Sequence, residues 1–366
     1  MDVESKNNFI TKYQLFATIV VTITGVGFFS YPSAMARTVG TDGWIVTILS
    51  GFIVYVLMYL IHKIVRLNDY GSLHMILENN YGKIFSIIIA IVFSVLNIML
   101  ISVGMRVFAE VIKMYLLEKT PVEFIVMIMI ITGSILVRGE LDVLIKFNEV
   151  SFWIMFIPIY LVMFLLCKGT DFTNVLPVFN NSIYKYMEGI ALTAFSFEGF
   201  EIAYLVLPHV KQKRNISKTL FKSVVFVVVF YSAITILTVC TFGVQQTKSL
   251  IWSTLTMIKS INIPESFVEQ WEGIVMVFWI IFYITTFVNI YYFSADTLEK
   301  TFKFGDIKFS SILLVPIIYL TALYPENLGE VYNLFNDISF VLPIFALAFI
   351  IIFPLVISLI KRRGGK

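Results

Sequence analysis

Two glycine-containing segments interrupt long apolar stretches of this sequence, and both can present backbone groups to a ligand. Gly25 and Gly27 lie in the first stretch, where each glycine lowers helix propensity by about 1 kcal/mol relative to alanine. The second segment, 196–199, reads Ser-Phe-Glu-Gly. Within a bilayer, a non-helical backbone is tolerated only where it is buried in protein or lines a cavity. We therefore expect the two segments to form a binding site.

The helix ends at the two interruptions indicate which ligand would fit. If the first helix unwinds at 25–27, the half-helix that begins near Phe28 points free amides and a positive dipole end toward a carboxylate. Carbonyls without intrahelical partners at the second interruption suit an ammonium group. The predicted ligand is therefore an α-amino acid, and the predicted ligand-binding residues are Thr24, Gly25, Val26, Gly27, Phe28, Ala194, Phe195, Ser196, Phe197, Glu198 and Gly199.

Polar side chains within the apolar stretches are further candidates. Glu198 and Glu201 share one helical face, and a charge at the bilayer centre costs about 2.5–3.5 kcal/mol on insertion scales. Glu198 either contacts the ligand ammonium or carries a proton that couples binding to helix movement. Glu201 is a second coupling candidate, and the alternative for both is a protonated carboxyl that caps the unwound backbone. Asn97 and Asn289 either line the pocket or bridge helices.

The composition predicts an all-α polytopic membrane protein with a single transmembrane domain, residues 1–366. The chain is 58% hydrophobic and 14% charged, whereas soluble domains average about a quarter charged residues. A membrane-spanning helix needs about 20 apolar residues. Ten such windows are predicted, at 13–38, 43–65, 83–117, 121–137, 142–167, 186–208, 219–243, 271–297, 309–324 and 334–360.

Enzymatic and metal-binding functions have no support in the sequence. It contains no P-loop, zincin or nucleophile-elbow motif, so we predict neither an enzyme nor a cofactor. The three histidines and two cysteines have no metal-ligand spacing. We also expect no nucleic-acid partner.

The ten windows divide into two groups of five, and each group begins with an interrupted window. Discontinuous helices at corresponding positions of two inverted repeats are typical of transporters of the LeuT group, where they form the binding site. We therefore predict inverted repeats over roughly 13–167 and 186–360, with the first and sixth helices broken. The alternative for Gly25 and Gly27 is close helix packing, a common role of glycine in membranes.

The distribution of Lys and Arg predicts the orientation. With the N-terminus in the cytoplasm, 19 of the 27 basic residues lie on the cytoplasmic side and seven on the other, while Arg106 is inside a span. Basic residues accumulate in cytoplasmic loops. Both termini are therefore predicted to be cytoplasmic.

Several segments resemble the spore germination permease family. Residues 25–32 read GVGFFSYP and are followed by GTDGWI at 40–45; the resemblance continues with LPVF at 176–179, FSFEG at 195–199 and PHVK at 208–211. Members of this family are the B subunits of nutrient germinant receptors in endospore-forming bacteria, within the amino acid–polyamine–organocation superfamily. The resemblance covers nearly the whole chain. The sequence departs from the family pattern at Tyr31, because members typically have leucine before the proline.

The resemblance implies a LeuT-like fold in the spore inner membrane. It implies recognition of a small nutrient germinant, such as an amino acid, in complex with A- and C-type receptor subunits. In permeases of this superfamily that run without sodium, a lysine on the fifth span stands in for the cation. Lys146 is the candidate for that role here, and interfacial snorkelling is the alternative. A proton-coupled amino-acid transporter remains the alternative function.

Overall fold

A computed structural model of the chain describes residues 9–167, 170–260 and 271–364. The description does not include the side chains of Val26, Ala194, Phe195, 271–278 and 364. Over these residues the protein is helical and has no strand, apart from one isolated bridge between Ile10 and Val210. The all-α prediction is confirmed.

Fifteen α-helices follow one another in the described ranges. They are α1 (Lys12–Ile23), α2 (Tyr31–Val39), α3 (Gly43–Leu67), α4 (Leu73–Tyr81), α5 (Lys83–Tyr115), α6 (Val122–Val137), α7 (Leu141–Leu166), α8 (Ile183–Ser196), α9 (Ala203–Val206), α10 (Ile216–Ser249), α11 (Ser253–Lys259), α12 (Trp271–Phe302), α13 (Ile307–Leu323), α14 (Leu328–Phe345) and α15 (Phe353–Gly364). A π-helical segment, Ala346–Ile352, joins α14 to α15.

The helical segments fall at the predicted windows. Five are long and apolar enough to cross a membrane, namely Tyr31–Leu67, Lys83–Tyr115, Leu141–Leu166, Ile216–Ser249 and Leu328–Arg363. Three shorter apolar helices, Lys12–Ile23, Val122–Val137 and Ile307–Leu323, lie at further windows. The chain is thus an integral membrane protein, while the count of ten crossings and the boundaries of the repeats stay predictions.

The first helix is broken where the glycines predicted it. A capping box between Thr11 and Gln14 starts α1, which ends at Ile23. A short 3-10 helix over Val26–Phe29 follows, and α2 begins at Tyr31 with Pro32 in its first turn. Proline fits that turn because its missing N–H would have no helical partner there. The regular part of the second half-helix therefore begins three residues later than the predicted start near Phe28.

The second predicted break is also present. Helix α8 ends at Ser196, and Gly199 has a φ of 96°, a left-handed conformation that glycine adopts without steric cost. A 3-10 turn, Phe200–Ile202, then leads into α9. The prediction that the first and sixth helices are broken is confirmed.

The packing of long helices encloses both breaks. Helix α1 packs against α7, α10 and α12, while the turn after Gly199 contacts α1 and α3. Asp42 accepts hydrogen bonds from Asn181 (2.7 Å) and Tyr186 (2.8 Å), which secures the segment leading into α8. The two breaks therefore lie next to each other inside the bundle.

Candidate functional site

A cavity of about 50 Å³ lies between the two breaks. Gly25 and Gly27 line it from the first break, and Ser196 and Glu198 line it from the second. The rest of its wall comes from α1, α5, α12 and α14, through Ile23, Leu100, Ile101, Gly104, Tyr283, Thr286, Ile290 and Phe335. We call this space the central cavity. Among its described lining residues, Glu198 is the charged one.

A larger vestibule of about 720 Å³ adjoins the central cavity. Gly27, Ser196 and Phe335 line both spaces, so the two spaces meet at these residues. Arg37 also lines the vestibule, where its guanidinium donates to the carbonyls of Lys248 (2.8 Å) and Leu250 (3.1 Å). The vestibule therefore borders both breaks.

Hydroxyl groups bind the backbone where α1 ends. Thr286 Oγ1 donates to the carbonyl of Thr22 at 2.9 Å, and Thr285 Oγ1 lies 3.2 Å from the carbonyl of Val21. Thr24, which caps α1, donates its own hydroxyl to the carbonyl of Val20. The two bonds from α12 satisfy carbonyls that a helix end leaves without intrahelical partners. They hold the end of α1 against α12.

Tyr231 on α10 connects the two breaks. Its hydroxyl donates to the carbonyl of Ser196 at 3.0 Å and lies 3.4 Å from the carbonyl of Ile23. The ring of Phe197 packs edge-on against the Tyr231 ring, with the centroids 5.5 Å apart. The Ser196 carbonyl, one of those predicted to bind an ammonium group, therefore already has a protein donor.

Glu198 and Glu201 differ in their surroundings although both are buried. Glu201 Oε2 accepts a hydrogen bond from the Gly199 amide at 3.2 Å, which is the cap role that the sequence left open. Neither carboxyl oxygen of Glu198 has a hydrogen-bond partner among the described residues. Glu198 lines the central cavity and also a second cavity of about 230 Å³, whose wall includes Glu201, Ser50 and Thr193.

Among the other predicted residues, none whose side chain is described lines the central cavity. Phe28 packs against Trp279 and Phe282. Asn97 donates to the Phe93 carbonyl of its own helix at 3.0 Å.

Asn289 and Lys146 have other partners. Asn289 donates to Thr22 Oγ1 and accepts from Asn148, each at 2.8 Å, so it bridges α12, α1 and α7. Lys146 is 66% exposed and pairs with Asp142 at 2.6 Å on the surface of α7.

Three predicted contacts involve side chains outside the described set, those of Val26, Ala194 and Phe195. The ligand-binding and coupling roles of all the predicted residues stay predictions.

Sequence reasoning missed three residues on α10 and α12 that shape the site, namely Tyr231, Tyr283 and Thr286. Thr285 and Thr286 precede Asn289 by four and three residues, a spacing that places all three near one helical face. A polar face on an otherwise apolar, aromatic helix is a signal that could have identified Thr286 from the sequence. Tyr231 gave no such signal, because its partners at the breaks are distant in sequence.

Comparison with known proteins agrees with this architecture. The family model described as spore germination protein matches residues 9–331. Spore germination protein A2 of Bacillus subtilis (strain 168) is 28% identical over 97% of this chain and 96% of its own length. Spore germination protein GerLB of Bacillus cereus is 26% identical over 94% of this chain and 92% of its own length.

A solved structure also shares the fold. A Na⁺-coupled sialic acid symporter, in a substrate-bound outward-open state, superimposes with a TM-score of 0.67 at 12% sequence identity, over 91% of this chain and 77% of the symporter chain. The protein thus has the LeuT-like transporter fold with its first and sixth helices broken. Because the family model matches residues 9–331, the chain belongs to the spore germination protein family.

Proposed function

We propose that this protein is the membrane subunit of a nutrient germinant receptor and binds a small amino acid in the central cavity. Binding changes the arrangement of the two broken helices, and A- and C-type receptor subunits read that change. The protein acts in the spore inner membrane with both termini in the cytoplasm, and the vestibule opens away from the cytoplasm.

The observation that carries the proposal is the convergence of both breaks on one cavity that contains an unpartnered carboxyl. Gly25 and Gly27 bring the backbone of the first break to the ligand without an intervening side chain. Both Glu198 oxygens are buried without a partner, and a buried charge is costly unless it is paired. A ligand ammonium group would pair with Glu198, while the ligand carboxylate faces the amides that start the 3-10 turn at Val26.

The size of the central cavity favours a small ligand. Its volume of about 50 Å³ corresponds to roughly three to five water molecules. Leu100, Ile101 and Ile290 give the wall an apolar part that suits a short aliphatic side chain. Glycine and alanine are therefore the first amino acids to test.

A proton-coupled amino-acid transporter is the second candidate. It is favoured by the transporter fold and by the position of Glu198, which lines two cavities and could pass a proton between them. A transporter moves its ligand across the bilayer, whereas a receptor needs only to bind it.

The test combines binding with transport. The purified protein in nanodiscs should bind labelled alanine or glycine, with competition restricted to small amino acids, and Glu198→Gln should weaken that binding. In proteoliposomes, the receptor hypothesis predicts no accumulation with or without a pH gradient. Gradient-dependent accumulation would establish the transporter instead, and co-purification with A- and C-type subunits would support the receptor. Absence of binding to any small amino acid would contradict both functions.

A further inference from the structure

A separate basic cavity of about 560 Å³ lies between the end of α3, the turn that follows α3, and the segment leading into α10. Four cationic side chains line it, those of Arg66, Lys213, Arg214 and Lys218, together with His62 and Tyr70. None of these six residues belongs to the central cavity or the vestibule. We call this space the basic cavity.

The cations of the basic cavity lack acidic partners. Within the described ranges, no carboxylate lies within salt-bridge distance of any of the four. Lys213 Nζ instead stands 4.1 Å from the centroid of the Tyr70 ring, a cation–π contact that positions the ammonium group without neutralising it. Four uncompensated positive charges around one cavity favour an anion.

The backbone adds donors to the same cavity. Asn215 is left-handed (φ 64°) and precedes the 34-residue helix α10 without a side-chain cap hydrogen bond. Ile216 and Ser217, whose amides belong to the first turn, line the cavity. The amides and dipole of a helix start favour an anion. This helix end therefore reinforces the side-chain charges.

A buried imidazole positions a further polar group at the wall of the basic cavity. His62 is only 9% exposed, and its Nδ1 lies 3.2 Å from the hydroxyl of Ser217. Ser217 itself lines the cavity. When Nδ1 carries the proton and donates to Ser217, the Ser217 hydroxyl is free to donate to an anion.

We propose that the basic cavity binds a phosphate group, supplied either by an anionic phospholipid headgroup or by free phosphate. Several oxygens on one phosphorus atom can accept from the guanidiniums, the ammonium groups and the helix amides at once. Helices α3 and α10 belong to segments that are long and apolar enough to cross a membrane. A cavity where α3 ends and α10 begins would therefore lie at the level of the lipid headgroups. Loop charges that only set topology do not need to converge on one cavity beside a helix start.

The test uses the full-length protein in nanodiscs and compares the double variant Arg214→Gln/Lys218→Gln with a matched control, Lys303→Gln/Lys308→Gln. The control removes two exposed charges outside the basic cavity. In one arm, discs of phosphatidylcholine alone are titrated calorimetrically with inorganic phosphate. In the other arm, native mass spectrometry counts the phosphatidylglycerol molecules retained from discs that contain both lipids.

The expected result is binding in at least one arm, weakened at least about tenfold by the double variant and unchanged in the control. Phosphate binding alone would identify a soluble anion, and retained phosphatidylglycerol alone would identify the lipid headgroup. Binding in neither arm, or an equal loss in both double variants, would overturn the proposal. Equal thermal midpoints of all three proteins in detergent would exclude a folding defect, and the single variant Lys218→Gln repeats the comparison if the double variant is unstable.

Discussion

Gly199 and Thr22 bring the two broken helices into direct contact. A Cβ atom at position 199 would lie 3.1 Å from the carbonyl oxygen of Thr22 and 3.1 Å from its Cγ2. The same Thr22 carbonyl accepts the hydroxyl of Thr286 at 2.9 Å. The close approach leaves no room for a side chain at position 199. The two breaks and α12 are therefore joined directly beside the central cavity.

Substitution of Gly199 by alanine should destabilise the protein by more than backbone strain alone. The left-handed conformation costs a non-glycine residue roughly 1–2 kcal/mol, and the added methyl group also presses on Thr22. Gly305→Ala is the control, since Gly305 also has a positive φ (77°) and nothing lies within 4 Å of its Cβ position. Thermal unfolding should show a larger decrease for Gly199→Ala. Equal decreases would mean that the steric contact between position 199 and Thr22 does not contribute to the loss of stability.

The two buried carboxyls should respond differently to neutral replacement. If ionised Glu198 binds the ligand ammonium, Glu198→Gln removes a charge-assisted bond worth roughly 1.5–3 kcal/mol and raises the half-maximal germinant concentration about tenfold or more. Glu201→Gln keeps an oxygen that can accept from the Gly199 amide, so its response should change little. The measurement is the dose–response of spores with matched protein levels. A shift below threefold for Glu198→Gln would leave that residue with an architectural role.

Alanine substitutions at two glycines in the wall of the central cavity should distinguish an effect on ligand binding from an effect on protein stability. A Cβ at Gly25 would meet Thr286 Oγ1 at 3.0 Å, so Gly25→Ala must disturb a hydroxyl that holds the Thr22 carbonyl. A Cβ at Gly104 would make ordinary contact with Tyr283 at 3.6 Å. Both changes reduce the cavity and should weaken ligand binding, but only Gly25→Ala should lower the thermal midpoint. Unchanged binding in correctly folded Gly104→Ala would place the ligand elsewhere.

A larger side chain at the first break gives a stronger form of the same test. Gly27 lines both the vestibule and the central cavity, so Gly27→Leu should abolish the ligand response while the protein still inserts into the membrane. Immunoblotting of membrane fractions checks insertion. A normal dose–response from inserted Gly27→Leu protein would show that the first break serves helix packing alone.

The predicted orientation can be tested by cysteine labelling. Cys167 is exposed and must first be replaced, whereas Cys240 is buried. Single cysteines at the exposed positions 327, 329 and 330 should react with an impermeant reagent in intact cells, and cysteines at 211–215 should react only after permeabilisation. The reverse pattern would invert the orientation and place the vestibule on the cytoplasmic side.

The sequence by itself determined the class of protein, the broken helices and the family. Long apolar windows can only be helical in a bilayer, because every backbone group must find its partner within the segment. Gly25, Gly27 and Gly199 mark the interruptions because glycine both weakens helices and adopts conformations closed to other residues. These properties are local, so they can be read without knowing which helices touch.

Tertiary structure decided which polar groups face the central cavity. Asn289 and Lys146 were both candidates from their positions in the sequence. In the structure, Asn289 bridges helices and Lys146 pairs with Asp142 on the surface. Tyr231 on α10 contacts the carbonyls of Ser196 on α8 and Ile23 on α1, and these helices are far apart in sequence. Which face of a long apolar helix meets its neighbours depends on packing rather than on hydropathy, since lipid tails and protein interior are similarly apolar. Glu198 and Glu201 likewise differ in hydrogen bonding because only Glu201 reaches the backbone amide of Gly199.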